Sequence, residues 1–123
     1  MEKTKTFKEL LVWQKSHEFV LKVYKLSKLF PKDELFGLTA QFRRAAVSIS
    51  ANICEGYKKK SNLDKLRFLN IAQGSTEECS YYVILAYDLS YISENQHQEL
   101  ENCLESASIL LNKYYNKISE NSK

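Results

Sequence analysis

The chain has 123 residues, long enough for one domain with a real core. Hydrophobic residues make up 44% of it, with one Pro and three Gly, which excludes a disordered chain and suits a helical one. The formal net charge of +3 hides an uneven spread. Residues 1–67 hold 15 Lys and Arg against 7 Asp and Glu, and residues 68–123 hold 3 against 8. Such asymmetry points to a basic surface for a polyanion, to halves that complement each other, or to solvated helix faces.

The N-terminus, MEKTKTFKELLVWQK, carries no apolar signal segment, and no run approaches the ~20 apolar residues a membrane span needs, so a cytoplasmic location is expected. A first helix is predicted over about 8–30. Val12, Ser16, Phe19, Val23, Leu26 and Phe30 step by four and three along one stripe, widened by Trp13, Val20 and Tyr24. Pro31 stops it.

A second helix is predicted over about 38–56. Leu38, Phe42, Ala45, Ile49 and Ile53 share its core face, and Gly56 suits a C-terminal stop. A polar strip runs beside that face: Gln41, Arg44, Ser48, Asn52 and Glu55. Arg44 and Glu55 are about 16 Å apart along the axis, too far to pair on one helix. Buried, either needs a partner elsewhere, and Glu77 and Glu78 are candidates for Arg44. The strip reads as a network setting helix register, as a subunit interface, or as a nucleic-acid contact through Arg44. Arg43 points about 100° away and is expected to be exposed, where phosphate contact is easier.

Ser61, with Asp64 three residues later, caps a third helix over about 62–91. It carries two apolar stripes, one of Phe68, Ala72, Ser75, Cys79, Tyr82, Ala86 and Leu89, the other of Leu66, Leu69, Thr76, Val83, Ile84 and Tyr87. A bundle helix needs one stripe, so the second suggests a further surface to cover. Ser93 and Gln96 form a capping box opening a fourth helix over about 94–119, with Leu100, Leu104, Ala107, Leu111, Tyr114 and Ile118 as its stripe. Residues 120–123 are expected to fray. Short connections between four such helices predict one all-α domain, an up-down-up-down antiparallel four-helix bundle.

KKKSNLDKLR, Lys58 to Arg67, is the densest basic cluster. Lys58, Lys59, Lys60, Lys65 and Arg67, together with Arg43, are the candidate polyanion contacts, against a solvated loop as the plain alternative. Cys54, Cys79 and Cys103 are odd in number and lack a CxxC pair, so buried free thiols are expected. His17 and His97 have no ligand-spaced neighbours, and phosphate-binding and nucleophile motifs are absent, so no metal, cofactor or catalysis is expected. The tyrosines of the C-terminal half fall at helical spacing and read as core and interface packing rather than as a base-stacking platform.

FKELLVWQKS, FPKDELFGLTAQFRRAAVSISANICEGY and FLNIAQGSTEE together resemble the four-helix bundle family encoded in intervening sequences of 23S ribosomal RNA genes. The resemblance spans residues 7–118. It rests most on the pattern from Gln41 to Gly56, and Ala72, Gly74, Ser75 and Glu78 add to it. It implies a ring-like homopentamer and kinship with the accessory variability proteins of diversity-generating retroelements, basic pentamers that bind nucleic acid and a reverse transcriptase. The acidic second half departs from a uniformly basic surface. The combined expectation is a non-enzymatic oligomer that binds structured RNA or DNA or scaffolds a ribonucleoprotein, with a nucleic-acid-processing protein as a further candidate partner; the alternative is a protein-interaction module.

Overall fold

The computed structural model describes residues 4–122. Residues 1–3 of the N-terminal segment and Lys123 of the expected frayed tail lie outside them. Four α-helices carry the chain: α1 (Leu11–Ser27), α2 (Leu38–Lys58), α3 (Asn62–Asp88) and α4 (Glu94–Glu120). No strand occurs among the described residues. α1 packs on α2 and α4, and α3 packs on α2 and α4, so the four surround one core, as in a four-helix bundle.

Most of the apolar stripe residues are buried where periodicity placed them, but Tyr24 of the first stripe and Leu89 at the end of the third helix's are exposed. Phe19, Val23, Phe42, Ile49, Ile53, Leu69, Leu100 and Leu111 are fully enclosed. Both stripes of α3 feed this core: Ala72, Cys79, Tyr82 and Ala86 from one, Leu69, Thr76 and Val83 from the other. The second stripe exists mainly because α3 touches two helices, α2 and α4. Ile84 and Tyr87 are its exposed remainder.

Helix ends differ from expectation at several points. α1 begins at Leu11, because Leu10 is extended and the preceding residues Phe7–Glu9 form a single 3-10 turn. It ends at Ser27, three residues early. Leu29 and Phe30 donate to Leu26 and Ser27 in tightened turns before Pro31. α3 closes at Asp88, with Ser90 in the left-handed region (φ 64°) and Tyr91 N–H reaching back to Ala86 O. The two serine caps form as expected. Asp64 N–H donates to Ser61 Oγ, and Ser93 and Gln96 exchange both bonds of a capping box. At the other terminus α4 stays helical to Glu120, and Asn121 and Ser122 turn off it.

Gly56 does not stop α2, which continues to Lys58. It is buried, and its φ is not positive. A Cβ there would stand 3.2 Å from Phe68 Cβ and 3.4 Å from Lys65 O, so the glycine serves the close approach of α3.

Candidate nucleic-acid interface and polar seam

Two groups of polar residues were marked in the sequence, and the fold treats them differently. The first is the strip on α2. Gln41, Arg44 and Ser48 meet Ser75, Glu78 and Tyr82 of α3 along an open groove of about 300 Å³. Ser75 Oγ donates to Ser48 Oγ at 2.9 Å, and Asn52 Nδ2 donates to Ser48 Oγ at 3.0 Å and to Ser48 O at 2.7 Å. The Tyr82 hydroxyl donates to Glu78 Oε2 at 2.7 Å and lies 3.1 Å from Gln41 Oε1. That hydrogen bond, then burial, pushes the Tyr82 phenol up to about 12.

Sequence reasoning therefore placed four of the groove residues, Gln41, Arg44, Ser48 and Glu78, and missed Tyr82, which bonds two of them, Gln41 and Glu78. The signal was present in the spacing: Tyr82 follows Glu78 by one helical turn and can reach it. Glu55 lies beyond the groove, exposed near Lys58. Glu77 faces the other way, into a groove between α3 and α4 shared with Glu101 and Glu105.

Arg44 stays on the polar strip where it was expected, while Arg43, expected to be exposed, is engaged by α1. Arg43 Nε donates to Ser27 Oγ at 2.7 Å, Nη2 reaches Tyr24 O at 3.5 Å, and the guanidinium lies 4.8 Å from the Tyr24 ring centre. Its cation sits against the last turn of α1, the negative end of that helix. Arg44 is the exposed one, and it forms no ion pair with Glu77 or Glu78. Helical rotation separated the two side chains correctly but could not say on which side α1 stood.

The second group is the basic cluster around the α2–α3 turn, and it is not uniform. Lys65 is half-buried, and its ammonium donates to Tyr57 O at 2.6 Å and Gly56 O at 3.3 Å; desolvation pulls its pKa down. Lys59 lies 4.9 Å from the Phe68 ring centre. Arg67 meets Asp64 at 3.4 Å in an exposed pair one turn away. Lys58 and Lys60 are exposed and carry no ion pair among the described residues. Arg43 is about 22 Å from Lys58 along α2, so the candidate contacts do not form one patch.

The structure adds a residue that the sequence reading left out. Tyr57 OH donates to Thr4 O at 2.9 Å and lies 2.8 Å from Thr4 Oγ1, which folds the N-terminal segment back over the end of α2. Lys5 and Lys58 then border the same hollow, floored by Phe7, Cys54 and Tyr57. No periodicity links positions 5 and 58, so nothing in the sequence pattern signalled the pairing.

Of the thiols, Cys79 and Cys103 are buried and Cys54 is half-buried. Burial raises all three pKa values, which keeps them protonated. His17 stacks on Trp13, and His97 packs on Tyr87 and lies 3.5 Å from Glu101. No grouping of metal-ligating side chains occurs among the described residues, and no described helix is long and apolar enough to cross a membrane.

A four-helix bundle with a hydrogen-bonded seam between its second and third helices and a basic turn at one end is the class of protein these features define. The model of the 23S rRNA-intervening sequence protein family matches residues 8–113, and the chain belongs to that family. A similar solved structure is the crystal structure of a protein of unknown function from the S23 ribosomal protein family of Bacteroides thetaiotaomicron. It superposes with a TM-score of 0.79 at 30% identity, covering 86% of this chain and 96% of that one. None of the curated proteins compared with the chain matches it.

Proposed function

We propose that the chain is a non-enzymatic, oligomeric protein of the cytoplasm that binds structured RNA or DNA, or scaffolds a ribonucleoprotein, through the basic end of its bundle. The observation that carries this reading is the exposure of Lys58 and Lys60 with no ion-pair partner among the described residues, and with Lys5 folded in beside Lys58. An up-down-up-down order of the helices belongs to the same reading. The pairs Ser16–Ser50, Ser27–Arg43 and Thr4–Tyr57 support α1 and α2 running in opposite directions. Gln41–Tyr82, Ser48–Ser75 and Gly56–Lys65 support the same for α2 and α3, and Gln73–Asn112 with Tyr87–His97 for α3 and α4. In that order the last turns of α4, with Lys113 and Lys117, join the basic end.

A few phosphate contacts per copy bind weakly, and repetition in an oligomer strengthens them. A homo-oligomer is supported by the apolar surface a single copy leaves open, with Phe36 91% and Leu29 74% exposed. A ring of five copies, and kinship with accessory variability proteins, are what the resemblance adds. The second reading is a protein-interaction module without nucleic-acid binding, favoured by the α3–α4 groove rimmed by Glu77, Glu101 and Glu105. Titration of a labelled structured RNA and a labelled duplex DNA at low salt separates the two. Saturable binding supports the first reading, and no binding to either overturns it.

A further inference from the structure

The hollow between the N-terminal segment and the end of α2 offers more than a place for phosphates. It measures about 430 Å³, within the ~300–1,000 Å³ of small-molecule sites. Phe7 and Tyr57 line it, and both are half-buried, so part of each ring stays open. Phe7 is held in place. Its turn is capped by Thr6, and its ring stands edge-on to Trp13 with centres 5.0 Å apart. The Tyr57 hydroxyl is taken up by Thr4, which leaves ring surface as what Tyr57 offers. Cys54 completes the floor, and burial keeps its thiol protonated and uncharged. Lys5 and Lys58 stand on the rim, exposed and with no ion-pair partner among the described residues.

We infer that this hollow takes one unpaired base of a bound nucleic-acid strand, laid against Phe7 and Tyr57, with Lys5 and Lys58 on the phosphates beside it. The inference rests on the nucleic-acid reading above and names the part of the ligand that this end meets. An aromatic, uncharged floor under a cationic rim matches a flat base attached to an anionic backbone. A paired and stacked duplex has no base to offer it, whereas bulges, loops and gaps do. Stacking of a base on an aromatic side chain is tolerant of sequence, because every base has a π-face. Glu55 also lines the rim and only accepts hydrogen bonds, which suits an amino-bearing edge such as that of cytosine.

A fatty-acid anion shares the apolar body and the anionic head. The cations do not stop at the hollow, however: Lys59 and Lys60 follow Lys58 in the exposed turn. Successive phosphates of a strand can use that run, and a single carboxylate cannot.

The test compares a labelled hairpin RNA carrying one bulged cytosine with the same hairpin fully paired, by fluorescence anisotropy at low salt, and repeats the pair in DNA. The bulged hairpin is expected to bind about tenfold tighter than the paired one, in RNA, in DNA or in both. Occupancy is read within the hollow by mass spectrometry of iodoacetamide-treated protein. The bulged hairpin is expected to slow alkylation of Cys54, and the paired hairpin to leave it unchanged. Phe7 lies outside the four helices, so Phe7→Ala is expected to stay folded by circular dichroism. It is expected to lose the preference for the bulge while keeping the affinity for the paired hairpin, and Phe7→Tyr is expected to keep both. Lys58→Glu/Lys60→Glu is expected to weaken binding of both hairpins. A wild type that binds neither hairpin overturns the nucleic-acid reading and this site with it. Equal binding of the two hairpins, or a bulge preference that survives Phe7→Ala, overturns the site while the nucleic-acid reading stands. Protection of Cys54 by dodecanoate and not by the bulged hairpin overturns it as well.

Discussion

Lys65 Nζ donates to the carbonyl of Tyr57 at 2.6 Å and to that of Gly56 at 3.3 Å, so a side chain of α3 closes the C-terminus of α2. The helix end leaves carbonyls without partners, and a cation is the side chain best suited to them. Lys65→Met keeps the aliphatic stem and removes the donors. It is expected to cost about 1–2 kcal/mol in chemical denaturation. Lys60→Met, at an exposed site without such bonds, is expected to stay within about 0.5 kcal/mol.

Glycine substitutions separate two roles that look alike in the sequence. Gly74 sits within α3 with nothing near a Cβ, so Gly74→Ala is expected to stabilise the chain by about 1 kcal/mol through helix propensity. Gly56 faces Phe68 and Lys65 at close range. Gly56→Val overfills that approach and is expected to cost about 1–3 kcal/mol. Thermal unfolding of both variants checks the contrast.

Ser16 and Ser50 join α1 to α2 inside the core, with Oγ atoms 2.9 Å apart, and Ser16 Oγ also donates to Trp13 O at 2.9 Å. Removing the Ser16 hydroxyl leaves that of Ser50 without this partner, whereas removing the Ser50 hydroxyl leaves Ser16 its bond to Trp13 O. Ser16→Ala and Ser50→Ala are each expected to cost about 1–2 kcal/mol, and the double variant less than their sum. Equal additivity in a denaturant series would show that the two hydroxyls act independently.

The legible part of the fold was its hydrophobic periodicity. Leu38, Phe42, Ala45, Ile49 and Ile53 are buried as their spacing requires, and Ser61 and Ser93 cap where their side chains suggest. What escaped depended on neighbours in space. Gly56 looks like a helix stop until Phe68 stands against it. Arg43 looks free until Ser27 and Tyr24 meet it, and Lys65 looks like a phosphate ligand until two carbonyls take its donors. Long cationic side chains reach several ångströms from their helix, so their partners lie outside any periodic pattern. Lys5 joined Lys58 only through the Thr4–Tyr57 bonds.

Two tyrosines and two glutamates give stability a defined pH dependence. The bond to Glu78 raises Tyr82 to about 12, and the bond to Glu34 raises Tyr91 above its ordinary value of 10.0. A raised folded pKa means the contribution is complete below about 10 and is lost as pH rises through the folded values. Glu34 is lowered from 4.5 by the Leu38 N–H and then Tyr91, and Glu99 is lowered by Lys22. Their contribution is present above 4.5 and is lost as pH falls through their folded values. Denaturation midpoints at a series of pH values should therefore fall at both extremes. Tyr82→Phe should flatten the alkaline arm, and ultraviolet titration should lose its highest-pKa phenol.

The most direct test of the basic end is the salt dependence of RNA binding by the wild type and by Lys58→Glu/Lys60→Glu. Each phosphate contact contributes about 0.7–0.9 to the slope of log affinity against log salt. The account predicts a measurable slope in the wild type. It also predicts weaker binding at low salt in the variant, with a slope shallower by about 1–2 at unchanged secondary structure. Equal affinity and equal slope in the two proteins would contradict it.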